Sequence, residues 1–289
     1  MKQKLARILC ETGDSSPVTD VRRVSGGDIS EAYRVETFEG TYFVKYNENV
    51  PGDFFQKEAE GLRLLKETGA LRVPDVYGYS RGRSPAQGFI VLEWIEGRTS
   101  RHTEEQLGRG LASLHSSHHD CYGLEADNYI GRLPQPNGWF NDWVDFFREK
   151  RLGAQVQLAE ERGALPPSRR DKLDRLLASL ERWLPRYGQP SLLHGDLWSG
   201  NWIAGPEGEP YLIDPAVFYG EREFELAFTE LFGGFSPRFY EAYNEVSPLS
   251  GSYEERKPLY QLYYLLVHLT LFGETYGPSV DRVLAYYVG

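Results

Sequence analysis

A single run constrains this chain more than any other: His194-Gly-Asp-Leu-Trp-Ser-Gly-Asn201, followed thirteen residues after Asn201 by Asp214 within Ile213-Asp214-Pro215. The order H-x-D-x-x-x-x-N and then D is the spacing of a kinase-type phosphoryl-transfer site. Such chemistry needs one carboxylate to accept the proton of an attacking hydroxyl, which suits Asp196. It also needs an amide oxygen and a second carboxylate as hard ligands for magnesium, which suits Asn201 and Asp214. Asp, Asn, Ser and Gly are equally the formers of polar turns, so the run alone also reads as a connection between two strands. The phosphoryl-transfer reading makes a demand on the fold: an ammonium from elsewhere in the chain must face these oxygens across a cleft.

Upstream residues supply the remaining parts in order. Lys45 interrupts the apolar run Tyr42-Phe-Val-Lys-Tyr46, either through plain strand alternation or to reach a phosphate. Glu58, thirteen residues later, falls on an expected helix, either as an exposed glutamate or holding the lysine against the α- and β-phosphates. Twenty residues before Lys45 begins Ser25-Gly26-Gly27-Asp28-Ile29-Ser30, a turn whose backbone amides suit a phosphate cover. It is not G-x-G-x-x-G, and any hairpin uses such a turn. The four features together, in this order, carry the reading.

Periodicity divides the chain in two. Strands are expected at 21–24, 32–37 and 41–46, with Phe38-Glu39-Gly40 turning between the last two. A helix is expected over 53–68, ended by Gly69, and 88–95 (GFIVLEWI) reads as a buried strand. Beyond Gly97 the pattern is helical. Thr103-Glu-Glu-Gln106 reads as a capping box, and further helices are expected at 139–158, 168–184 and 259–272. Two short strands, 191–194 and 211–213, flank the turn Gly205-Pro206-Glu207-Gly208 and make one hairpin. The fold class expected is α+β: a small, mostly β N-terminal lobe over residues 1–96 and a larger, mostly α lobe over 97–289.

Composition removes several alternatives. The net charge is −10, so a nonspecific nucleic-acid or anionic-membrane binder, which needs a surplus of Lys and Arg, is disfavoured. Two cysteines, Cys10 and Cys121, make neither a disulfide framework nor a thiolate zinc site, and a reducing cytoplasm is the expected location. Residues 1–10 lack the apolar stretch of a signal peptide, and the most apolar later segment is interrupted by Gln261 and His268, so no membrane span is expected. No obligate protein partner is evident.

The sequence resembles the fructosamine kinase (ketosamine kinase) family, in the aminoglycoside-phosphotransferase-like branch of the kinase fold. The resemblance rests on HGDLWSGN (194–201), IDPAVFYG (213–220) and ELFGGFSPRFYEAYN (230–244), and covers most of the chain. It implies a bilobal protein-kinase-like fold with a nucleotide-binding first lobe and a catalytic and substrate-binding second lobe. It further implies Lys45 and Glu58 as the nucleotide pair, Asp196 as base, Asn201 and Asp214 as magnesium ligands, and Glu93, Trp94 and Ile95 as the linker whose backbone meets adenine. ATP and Mg2+ follow as cofactors. The implied acceptor is a ketosamine such as fructosamine or ribulosamine, free or on a protein lysine, phosphorylated at sugar O3 and then decomposing to free the amine. Two positions depart from the family pattern, which often has a His after Tyr-Gly and an Asp before the next Leu-Ala; here they are Glu221 and Glu225.

The motif is His-Gly-Asp rather than His-Arg-Asp, and no Asp-Phe-Gly or Ala-Pro-Glu segment is present, so a phosphorylation-controlled protein kinase is disfavoured. Sugar C–H faces pack on aromatic rings, which makes Trp198 the first candidate acceptor platform, with Tyr219 second. Glu221 is a candidate partner for the cationic amine. His268 reads as a hydrogen-bonded core or cleft histidine, and His115, His118 and His119 as a solvated helix end. Trp139, Phe140, Trp143, Phe146 and Phe147 read as core. Two readings compete with the leading one: a kinase of another small alcohol (an aminoglycoside, choline or a sugar), and a nucleotide-binding pseudokinase module.

Overall fold

Strict alternation of side chains sorts the N-terminal sheet into two faces. In a computed structural model that describes residues 1–24, 30–80 and 88–289, this sheet has the order β1-β2-β3-β5-β4. Its strands are β1 (Val18–Val24), β2 (Glu31–Thr37), β3 (Thr41–Asn47), β4 (Val76–Tyr79) and β5 (Gly88–Glu93). Val35, Val44 and Val91 are fully buried on one face beneath α1 (Lys2–Glu11), whose Leu5, Ile8 and Leu9 complete that cluster. The next residue along β3, Lys45, therefore points to the other face, opposite Ala32 and Ile90 in register. Against that face packs α2 (Phe54–Thr68), through Phe55, Ala59, Leu62 and Leu65. It ends at Gly69, in the left-handed conformation at φ 66° that a helix C-terminus favours. Helix α1 escaped the sequence reading although its Leu5, Ile8, Leu9 spacing marks an apolar stripe.

The C-terminal part is mostly helical, with α3 (Thr103–Leu114), α4 (Trp143–Phe146), α5 (Ala154–Glu161), α6 (Pro167–Leu177), α7 (Arg222–Leu231), α8 (Pro237–Val246), α9 (Tyr253–Phe272) and α10 (Gly277–Val288). Small sheets are set among them. Strands β6 (Tyr122–Leu124), β9 (Gly138–Phe140), β10 (Ser191–Leu193) and β13 (Phe218–Gly220) form one sheet in the order β10-β13-β6-β9. The pairs β7 (Asn128–Ile130) with β8 (Leu133–Gln135) and β11 (Trp202–Ala204) with β12 (Pro210–Leu212) are separate hairpins. Helix α9 is buried nearly all round and forms the axis of this half. No helix among the described residues is long and apolar enough to cross a membrane.

Four expectations are corrected. The turn at 205–208 joins β11 to β12, while the strand at 191–193 pairs with β13, so the lobe carries several small sheets rather than one hairpin. The helix expected over 139–158 starts at Trp143, because Gly138–Phe140 is a strand and the Asp142 carboxylate caps the turn by accepting from the Asp145 N–H. It then runs through a π-helical stretch, Phe147–Gly153, that buries Arg151 with its guanidinium 3.8 Å from the Phe218 ring centroid. Trp143, Phe146 and Phe147 are core as expected, whereas Trp139 is exposed and stacks on His119. Finally, the capping box does not form. The Thr103 hydroxyl donates to the Gly208 carbonyl at 2.6 Å, a tertiary tie between α3 and the β11–β12 turn, and accepts from the Ser100 N–H.

Thr103→Val keeps the shape and orphans that carbonyl. It should lower unfolding free energy by about 1–3 kcal/mol, read as a lower urea midpoint at unchanged slope. An unchanged midpoint would remove the tie from the account of the fold.

Candidate active site

Lys45 crosses from the sheet to two carboxylates. Its Nζ lies 2.8 Å from Glu58 Oε1 on α2 and makes a second, shorter contact with Asp214 Oδ1 in the loop after β12. Burial pulls the ammonium's pKa down, but the Asp214 and Glu58 charges outweigh it, and the net shift is upward. Burial raises the Glu58 carboxyl, against the pull of Lys45. Asp214 reaches this position with φ 56°; among the described residues it is the one non-glycine with positive φ, and Asp tolerates that region better than most residues.

The second half of the site is the loop after β10. His194 donates from Nε2 to the Ile213 carbonyl at 2.8 Å, and its Nδ1 accepts from the Asp196 N–H at 3.3 Å. Burial lowers its pKa and agrees with that neutral tautomer. Gly195 has φ 84°, and a Cβ there would come within 2.0 Å of the Ala216 carbonyl, so only glycine allows the two loops to touch. Asn201 donates its amide nitrogen to the Asp196 carbonyl at 2.8 Å and to Asp196 Oδ2 at 3.1 Å, and its Oδ1 has no donor among the described residues. Burial, followed by repulsion from Asp214, holds the Asp196 carboxyl well above the usual carboxylate range.

Both loops are fastened from behind. Glu225 on α7 is fully buried and accepts from the His194 N–H at 3.0 Å and the Gly195 N–H at 2.6 Å. It also takes His115 Nε2 at 2.9 Å, while His115 Nδ1 meets the Tyr243 hydroxyl at 2.8 Å. Burial would raise the Glu225 pKa, but the hydrogen bond and charge of His115, the His194 ring and the Gly195 N–H lower it overall. His115 is thus a buried partner, not part of a solvated helix end. Tyr264 on α9 donates to the Gly195 carbonyl at 2.9 Å. The loop after Asp214 is held by Gln135, donating to Ala216, and Asn128, donating to Val217.

A cavity of about 860 Å³ lies between the two halves and is lined by Lys45, Glu58, Asp196, Asn201 and Asp214 together. Glu93, Trp94, Ile95 and Ser30 line it too, and strand pairing ends at Glu93, which releases the Trp94 and Ile95 backbone at its rim. Gly26, Gly27, Asp28 and Ile29 lie outside the described residues. Trp198 lines the cavity with its ring folded over Gly200, where a Cβ would meet it at 2.4 Å.

Tyr219 and Glu221 do not reach this cavity, and the acceptor roles read for them are withdrawn. Once the chain enters β13 it is carried into the small sheet, where Tyr219 packs 4.9 Å from the His119 ring centroid. Glu221 accepts from the Tyr122 hydroxyl at 2.7 Å and lines a separate, smaller pocket. Tyr264 and the cavity rings Phe232, Phe272 and Tyr276 carry no signal in the sequence analysis, and Glu225 appears there only as a departure from the family pattern. His268 was correctly read as a hydrogen-bonded cleft histidine: its Nδ1 lies 2.8 Å from the Tyr264 carbonyl.

Solved structures share this architecture, a protein-kinase-like fold. Aminoglycoside phosphotransferase APH(4)-Ia covers the whole chain, and the chain the whole of it, with TM-score 0.64 at 18% identity, a likeness of fold alone. A Haemophilus somnus protein assigned as a fructosamine-3-kinase is closer, with TM-score 0.87 at 31% identity over 99% of this chain and 97% of that one. The family model for fructosamine kinase matches residues 1–288, and the chain belongs to that family. It is accordingly a phosphotransferase with a hydroxyl group as acceptor. A Lactiplantibacillus plantarum chain named as a probable ketoamine kinase is 43% identical over 94% of this chain and 96% of its own length. The chloroplastic protein-ribulosamine 3-kinase of Oryza sativa subsp. indica is 38% identical over 97% and 82% respectively.

Glu225→Gln should lower stability by about 3–5 kcal/mol, because the carboxylate accepts with both oxygens and an amide turns an NH2 group toward one of the two backbone N–H donors. The sign of the pH effect follows from the lowered pKa. The carboxylate's contribution is fully present above its ordinary value of 4.5 and is lost as pH falls through the lower folded value. Urea melts from pH 6 down to about pH 3 should show that component in the parent protein and not in the variant. Identical slopes would exclude Glu225 as a titrating support of the loop.

Proposed function

We propose that this chain is an ATP-dependent kinase of ketosamines, transferring the γ-phosphoryl group to the sugar O3 hydroxyl of adducts such as fructosamine or ribulosamine. The observation that carries the reading is the convergence of Lys45, Glu58, Asp196, Asn201 and Asp214 on one cavity with Trp198 at its acceptor side. Membership of the fructosamine kinase family and the activities for which its relatives are named support the substrate class. On this reading residues 1–96 take the nucleotide and residues 97–289 carry the base and the acceptor. A reducing cytoplasm suits the two free thiols, Cys10 and Cys121.

Lys45, kept charged by its two carboxylates, holds the α- and β-phosphates, and the released backbone at Trp94 and Ile95 meets adenine. Asp196 orients the sugar hydroxyl and takes its proton as the new O–P bond forms and the bond to ADP breaks. Trp198 offers a ring face to the sugar. The donor set suits magnesium: the Asn201 amide nitrogen is turned to Asp196, its Oδ1 has no donor among the described residues, and Asp214 lines the same cavity. Bound there, the ion would neutralise charge on the transferring phosphates. Phosphate at C3, next to the C2 carbonyl, leaves after loss of the C1 proton, and hydrolysis then frees the amine, which gives a deglycation role.

Asp196→Asn should cut turnover by about 100-fold or more with ketosamine and Mg-ATP, while nucleotide affinity changes by less than about twofold. Coupled assays of ADP release and nucleotide titration of the variant check both halves. Turnover near the parent value would overturn the base role, and release of ADP only with aminoglycoside or choline acceptors would overturn the substrate class.

A further inference from the structure

The cavity wall built by residues 228–276 takes no part in the phosphoryl transfer described above. It presents Phe232, Val267, His268, Leu271, Phe272 and Tyr276, and no lining residue from this stretch is charged. Its rings form one cluster around His268, with centroids 4.7 Å away for Phe232, 5.5 Å for Phe272 and 5.0 Å for Tyr276. Phe232 and Phe272 nonetheless keep 43% and 49% of their surface exposed, so these rings are not filling a core.

Two contacts fix the wall beside the base. Tyr264 holds the Gly195 carbonyl, one residue before Asp196, and His268 follows one turn later on the same face of α9. On the other side, a Cβ on Gly234 would lie 2.4 Å from the Ser199 side chain, so the 232–234 turn packs directly on the Trp198-Ser199 segment. His268 brings ring nitrogens to the centre of this cluster. Its Nδ1–H donates to the Tyr264 carbonyl, burial lowers its pKa, and its Nε2 lone pair has no partner among the described residues.

We propose that this wall is the subsite for the amine half of the acceptor and selects ketosamines whose nitrogen carries an uncharged aryl or alkyl group. The inference rests on the ketosamine reading above and adds to it the class of amine. With the sugar on Trp198, the secondary ammonium donates an N–H to His268 Nε2 and sets its charge against the ring faces. The apolar substituent covers Phe232 and Phe272 and removes them from water. An adduct of a free amino acid brings a carboxylate to the same place, where this wall offers no cation to receive it.

The test compares two adducts of one sugar, fructosyl-benzylamine and fructosyl-glycine, in steady-state assays with Mg-ATP. The benzylamine adduct should show at least about tenfold higher kcat/KM, mainly through KM. Phe232→Ala and Phe272→Ala, at half-exposed positions with thermal melts as the fold control, should each shrink that ratio to about twofold or less. His268→Phe keeps a ring and removes the lone pair, and should raise KM for both adducts alike. A parent ratio of one or below, or a ratio unchanged in both alanine variants, overturns the subsite. Phosphorylation of neither adduct, with ADP released for another alcohol, overturns the ketosamine reading and this inference together.

Discussion

An ammonium buried at the junction of two halves of a protein has to be matched there, and much of this molecule is arranged around matching Lys45. An unpaired buried charge costs several kcal/mol or more, so the lysine is retained only where carboxylates meet it. Glu58 supplies one from the helix that covers the sheet, and Asp214 supplies the other from a loop 169 residues away. The sheet register decides that Lys45 points toward them rather than into the apolar cluster under α1. Asp214 reaches its place with a backbone conformation that most side chains avoid.

A demanding conformation of that kind persists only if its surroundings enforce it. Here the enforcement is polar and buried. Glu225 takes two adjacent N–H groups of the loop that carries Asp196, Tyr264 takes a carbonyl of the same loop, and Gln135 and Asn128 grip the chain just past Asp214. Tyr263 and Asn137 in turn complete the amides of Gln135 and Asn128, and Arg151 completes Asn137. Such a network is worth having only when nearly every member is satisfied, and this one is extended enough to hold two loops in register with each other.

The parts of the site that lie close together in sequence were readable there. The run from His194 to Asn201 and its partner Asp214 declare hard oxygen chemistry by residue type and spacing, and strand alternation gives the direction of Lys45. The glycine at 69 and the alternating valines set element ends and faces in the same local way. What escaped was non-local. Glu225 stood out only as a departure from the family pattern until the fold placed it under the loop. Tyr219 and Glu221 follow Asp214 closely in sequence, but a strand carries them into another sheet. The Thr103 hydroxyl abandons a local cap for a carbonyl 105 residues away, a competition that pattern alone does not decide. The rings at Phe232, Phe272 and Tyr276 sit on three separate turns and become one surface only by packing.

Glu225 grips peptide groups, not the side chains of the residues it supports, and peptide groups are the same whatever amino acid occupies the position. The grip of Glu225 therefore does not depend on the Trp198 side chain further along the loop. A lineage built on this plan is free to exchange the side chain mounted at that one position without re-engineering the mount.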